Sequence, residues 1–252
     1  MIEIETKARC SRTHARFLTM RIAPGIVALI AAFAGAVPGT PQSAADPYPK
    51  MAALKEYLMT QDAEITLARS AGPESISKDA DVLVMDRHGY HAAIKGRNGF
   101  VCAVLRSWTA GPDDSNFWNP KLRGPICFNA AAARSYLPRV FKRTTLVLAG
   151  KTKEELVSAM NAAFEAKEIP TIEPGSMCYM LSKQGYLNDQ AGHWHPHMMI
   201  YVPETKAEAW GADLPGSPVL STSDHVDRVT VFMIPVAKWS DGSLDSGDHA
   251  SH

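Results

Sequence analysis

The sequence predicts an α+β fold: a single domain in which an antiparallel sheet carries three or four packed helices. Short apolar runs such as Val82-Leu83-Val84 and Val229-Thr230-Val231-Phe232-Met233-Ile234 have strand length. Longer stretches, 51–67, 130–148 and 152–164, repeat apolar residues at mainly helical spacing. Between two strand candidates stands Asn98-Gly99, a pair that tolerates the positive φ of a tight hairpin turn.

In order, residues 48–70 place Met51, Leu54, Leu58, Ile65 and Leu67 at helical spacing, which predicts one or two helices ending before Ala71-Gly72-Pro73. Three strands follow, at 81–85, 89–95 and 100–107, and the turn before the third predicts an antiparallel meander. Residues 111–125, with three prolines, Phe117 and Trp118, form a long irregular loop. Its two aromatics either line a cleft or anchor the loop to the core. From Ala130 the pattern is helical to about Leu148, with Pro138 suited to a helix start. Thr152 and Glu155 have the spacing of a capping box, and Leu156, Met160, Ala163 and Phe164 give the next helix its apolar face. Strands are expected at 176–183, 197–202 and 229–234, the last apolar on both faces and therefore central. The tail from Ser240, rich in Ser, Asp, Gly and His, reads as disordered.

Composition excludes some functions. The chain has 252 residues, 46% hydrophobic and 21% charged, with 26 basic against 26 acidic side chains. That balance leaves no electrostatic footprint for nucleic acid. The first residues differ in kind: Lys7, Arg9, Arg12, Arg16 and Arg21 precede an apolar run at 22–37, and Ser43-Ala44-Ala45 offers small residues for cleavage. This is the pattern of a secretory signal peptide over residues 1–45; Pro24, Gly25 and Gly35 argue against a permanent membrane span, and an uncleaved anchor is the competing reading. The domain then runs 46–239, with the tail at 240–252, and the protein is expected in the periplasm or secreted. In an oxidising compartment Cys102 and Cys127 are expected to form a disulfide. Its loop of about 26 residues would stabilise the fold by roughly 3.5 kcal/mol. Cys178 would remain as a buried thiol, with a metal ligand or nucleophile as the alternative.

Common catalytic templates fail. Gly150-Lys151-Thr152 opens a helix as a phosphate-binding loop does, but Thr145 stands where that loop needs glycine. Ser75-Ile76-Ser77-Lys78 matches Ser-x-x-Lys without the partner motifs. The sharpest chemical feature is Gly192-His193-Trp194-His195-Pro196-His197-Met198-Met199. Alternation in an extended chain would point His193, His195 and His197 to one side, as imidazole ligands of Cu or Zn, with Met198 as a soft ligand. Pro196 cannot donate to a sheet ladder, so the strand is expected to begin at His197, with His193 and His195 on the lip of a pocket. His88 and His91 could supply further ligands if the fold brought them near.

The runs Arg87-His88-Gly89-Tyr90, Lys95-Gly96-Arg97-Asn98-Gly99-Phe100-Val101-Cys102, Trp118-Asn119-Pro120-Lys121-Leu122-Arg123-Gly124-Pro125-Ile126-Cys127 and His193-Trp194-His195-Pro196-His197-Met198 resemble those of a family of exported bacterial proteins of unassigned function. The resemblance implies export and a single domain, and nothing about chemistry. Two function classes stay open beside a structural or interaction role. One is a transition-metal binding protein built on His193 to Met199. The other is a periplasmic enzyme, hydrolase-like, with His195 or His197 as general base and loops around Trp118 and Trp210 shaping its pocket.

Overall fold

The computed structural model describes residues 46–189 and 191–246. The proposed leader, 1–45, and the last six residues lie outside these. Eight strands form one sheet: β1 (Asp81–Asp86), β2 (Gly89–Ile94), β3 (Val101–Leu105), β4 (Gly124–Phe128), β5 (Met177–Met180), β6 (His197–Pro203), β7 (Leu220–Asp224) and β8 (Val229–Pro235). Their spatial order is β2-β1-β3-β4-β5-β6-β8-β7. The helices are α1 (Gln61–Arg69), α2 (Glu74–Ser77), α3 (Ala130–Ser135), α4 (Leu137–Leu148) and α5 (Lys153–Glu165).

The class is α+β as expected, but two details are corrected. The sheet is mixed, because β1 and β3 pair in parallel, and the described residues hold five α-helices rather than three or four. The fifth is the single turn α2, which lies between the expected helices and the first strand. The meander also fails: β3 pairs with β1 and not with β2. Two physical causes act together. β2 exposes His91 and Ala92 and suits an edge, whereas Cys102 to Leu105 of β3 are buried and require neighbours on both sides. The 95–100 connection is also held under the start of β1: Gly96 donates to Asp81 Oδ1 at 2.6 Å, Arg97 to the Asp79 carbonyl at 2.8 Å. A Cβ on Gly96 would come within 2.3 Å of that backbone, so only glycine fits the crossing.

Both sheet faces are covered. On one, Phe128, Tyr201 and Val231 pack with Tyr136, Leu137 and Val140 from α3–α4. On the other, Val82, Val104 and the Cys102–Cys127 disulfide pack against Leu67 and Ala68 of α1. A third cluster joins Tyr57, Trp108, Phe117 and Trp118 to α4 and α5. Phe117 and Trp118 are thus core anchors of their loop, not cleft walls.

Buried charge ties elements together. Arg106, after β3, donates to Glu64 of α1 at 2.9 Å and to the Tyr57 carbonyl at 2.7 Å. Arg143 of α4 reaches Asp227 at 2.9 Å and Asp224 at 2.6 Å, fixing the β7–β8 turn. β7 escaped the sequence reading because Leu-Ser-Thr-Ser-Asp carries no apolar alternation. It forms as an edge on β8, and Asp213 takes the Ser221 amide at 3.0 Å. Residues 240–246, read as disordered, are folded. Lys238 and Leu244 bridge, Trp239 donates to the Ser243 carbonyl, and Gly242 supplies the positive φ between them.

Candidate functional site

β6 begins at His197, as Pro196 predicts, and His193 and His195 lie on its approach. That approach is built by a compact turn: Asn188 caps the Ala191 amide at 2.7 Å, and Leu187 donates to the Gly192 carbonyl at 2.7 Å. Asp189 pins the turn from outside through Lys121 at 2.8 Å and through the hydroxyls of Tyr48 and Tyr186. Those donors, Lys121 first, hold the Asp189 carboxyl well below the usual carboxylate range.

Between this turn and the C-terminal hairpin lies a cleft of about 730 Å³. Trp194 and Trp239, each 7% exposed, form its floor. Gly185 lies flat against the Trp194 indole, where a Cβ would sit 2.3 Å from the ring. Leu187 and Leu244 form apolar walls, 38% and 68% exposed. The polar wall is Lys183, His193, His195 and Asp245. Lys183 is matched by Asp241 at 2.9 Å and His195 is hydrogen-bonded to Asp245 at 2.7 Å, so these polar groups of the cleft already hold partners.

The three histidines are not brought to one point. His193 packs edge-on to Trp239, 6.2 Å between centroids. His195 engages Asp245 through Nδ1. His197 turns its Nδ1 to the His195 carbonyl at 2.8 Å, and burial pushes its pKa down, which keeps it neutral. Met198 pairs across the sheet with Tyr179 and Ile234, and alternation puts its side chain on the opposite face from His197. His88 and His91 belong to the β1–β2 hairpin, five strand spacings from β6, or about 24 Å. Among the described residues no group of three or more His, Cys, Asp or Glu could hold a metal ion. Cys178 is a free, buried thiol beside Tyr201 Oη at 3.1 Å, pushed up to about 12 by burial and so protonated and unreactive. Trp210 stacks on Phe232, 4.9 Å between centroids, and does not line the cleft.

A carboxylate only accepts hydrogen bonds, so Nδ1 of His195 carries the proton and Nε2 is the basic nitrogen. The same reasoning makes Nε2 the basic nitrogen of His197. Asp245, Trp239 and Leu244 escaped the sequence reading because they lie far along the chain, 50 residues in the case of His195 and Asp245; Lys183 lies nearer, but nothing in its local sequence marks it as a cleft residue. One local signal was present: Asp241-Gly242 between Trp239 and Leu244 is hairpin chemistry inside a polar tail. No family model, characterised protein or solved structure matches the chain. No helix among the described residues is long and apolar enough to cross a membrane.

Proposed function

We propose that this is an exported binding protein whose cleft accepts a neutral amphipathic small molecule, an apolar chain with an uncharged polar head. The carrying observation is the combination of two exposed leucines over a tryptophan floor with polar groups that already hold partners, Lys183 on Asp241 and His195 on Asp245. Apolar walls favour a chain, while a charged head would have to displace Asp241 or Asp245 from its partner. The basic leader and the Cys102–Cys127 disulfide support export. Mass spectrometry of secreted or periplasmic protein tests this part, with a mature chain starting near Asp46 as the expected result.

Binding is tested with 2-hexanone, 2-heptanone and 2-octanone, read by tryptophan fluorescence and thermal shift. Affinity is expected to rise with chain length, and Leu244→Ser to weaken 2-octanone about tenfold or more. Absence of binding across the series overturns the reading.

A transition metal is the second reading. It is favoured by one observation: His195 and His197, two positions apart, both anchor Nδ1 on an oxygen, as metal-ligating histidines do. Further ligands would have to come from the ion's surroundings. Metal analysis of untagged protein, with thermal shifts on adding Cu or Zn, tests it. No bound metal and no shift would dismiss it.

A further inference from the structure

We propose that the cleft also hydrolyses esters of medium apolar chain length, with His195 as the base that activates water and Asp245 as its positioning residue. This rests on the binding reading above. The Asp245 side chain is 13% exposed and the His195 side chain 50% exposed, so the carboxylate is held back in the protein while the imidazole is presented at the cleft. The two residues come from segments 50 positions apart, and the hairpin that carries Asp245 is fastened by backbone bonds, Asp245 to Ala237 and Ser240 to Leu181, each 2.9 Å. The Nδ1 contact orients the ring and stabilises the imidazolium that proton abstraction creates. Lys183, held by Asp241, is among the residues that line the same cleft, and its ammonium is the cationic group the cleft offers to the negative charge that develops on a substrate carbonyl oxygen. Leu187 and Leu244 supply the place for the apolar chain.

The step balances without any further reagent. Water oxygen attacks the ester carbonyl carbon, and its proton passes to Nε2 of His195. The carbonyl π pair moves to oxygen, and the tetrahedral oxyanion forms. Its collapse breaks the bond to the alcohol oxygen, which takes the proton back from Nε2. Ester and water become carboxylic acid and alcohol, and His195 returns neutral. No covalent acyl intermediate forms, so no burst of alcohol precedes the steady state.

The test uses the mature chain with p-nitrophenyl hexanoate as substrate and 2-octanone as a probe that binds but cannot be hydrolysed. His195→Gln, which can still hydrogen-bond Asp245, is expected to lower kcat by about 100-fold or more with KM and 2-octanone affinity within about twofold of wild type. It should also abolish the ascending limb of the pH–rate profile. Asp245→Asn is expected to lower kcat with little change in KM and to displace that profile, an effect a merely structural contact would not produce. If 2-octanone binds but the wild type hydrolyses ester no faster than His195→Gln, hydrolysis is overturned and the binding reading stands. If neither probe nor substrate binds, both fall. Should His195→Gln fail to fold, the wild type decides: no turnover above buffer, or a burst of nitrophenol, overturns the mechanism.

Discussion

Gly185 shows how much of the site rests on one missing side chain. Its neighbour, the Trp194 indole, would meet an added Cβ at 2.3 Å and must shift. Overpacking of this kind costs about 1–3 kcal/mol. Gly185→Ala is therefore expected to lower thermal stability by that amount and to weaken ketone binding, read by melting and tryptophan fluorescence; unchanged values for both would refute the contact. Asp227 carries the clearest pH dependence. Burial pushes its carboxyl up to about 6, against the downward pull of Arg143. In an unfolded chain the group titrates near 3.9, so the folded state holds the proton more tightly. Its contribution to stability is thus complete below about pH 4 and is lost as pH rises through about 6. Burial raises Glu64 in the same direction. Asp227→Asn, whose amide oxygen can still accept from Arg143, is expected to reduce the fall in melting temperature between pH 4 and 7. Equal slopes in mutant and wild type would show that the burial of this carboxylate does not set the profile.

At the scale of elements, local chemistry decided starts and stops well. Thr152 accepts from the Glu155 amide at 3.2 Å and Glu155 accepts from the Thr152 amide at 3.0 Å, the full capping box of α5. Thr152→Ala is expected to cost about 1 kcal/mol, measured as a shift in urea midpoint at constant slope. Pro138 sits in the first turn of α4, and Pro196 delays β6 to His197. Pairing was less legible. Asn98-Gly99 has hairpin composition, yet Asp79 and Asp81 capture the connection and carry β3 to the other side of β1. For residues 240–246 the reason is the opposite: polar composition concealed a hairpin that Trp239 anchors in the cleft floor.

For the whole molecule, the disulfide joins directly opposed residues of β3 and β4 in the middle of the sheet, so its chain constraint acts on the core. Reduction, or the Cys102→Ser, Cys127→Ser pair, is expected to remove roughly 3.5 kcal/mol. For a domain of this size that is a fall in melting temperature of about 10 °C, measured by calorimetry with and without reductant. The sequence by itself determined the α+β class, the main helices, the Cys102–Cys127 pairing and the place of His193 and His195 on a pocket lip, because each depends on periodicity, capping or residue type along a short stretch. Only the tertiary structure decided that the sheet is mixed, that the histidines part to separate partners, and that Asp245 and Trp239 complete the cleft. Those outcomes turn on which distant segments meet, and that is settled by the burial of whole strands and the pairing of buried charge rather than by any local pattern.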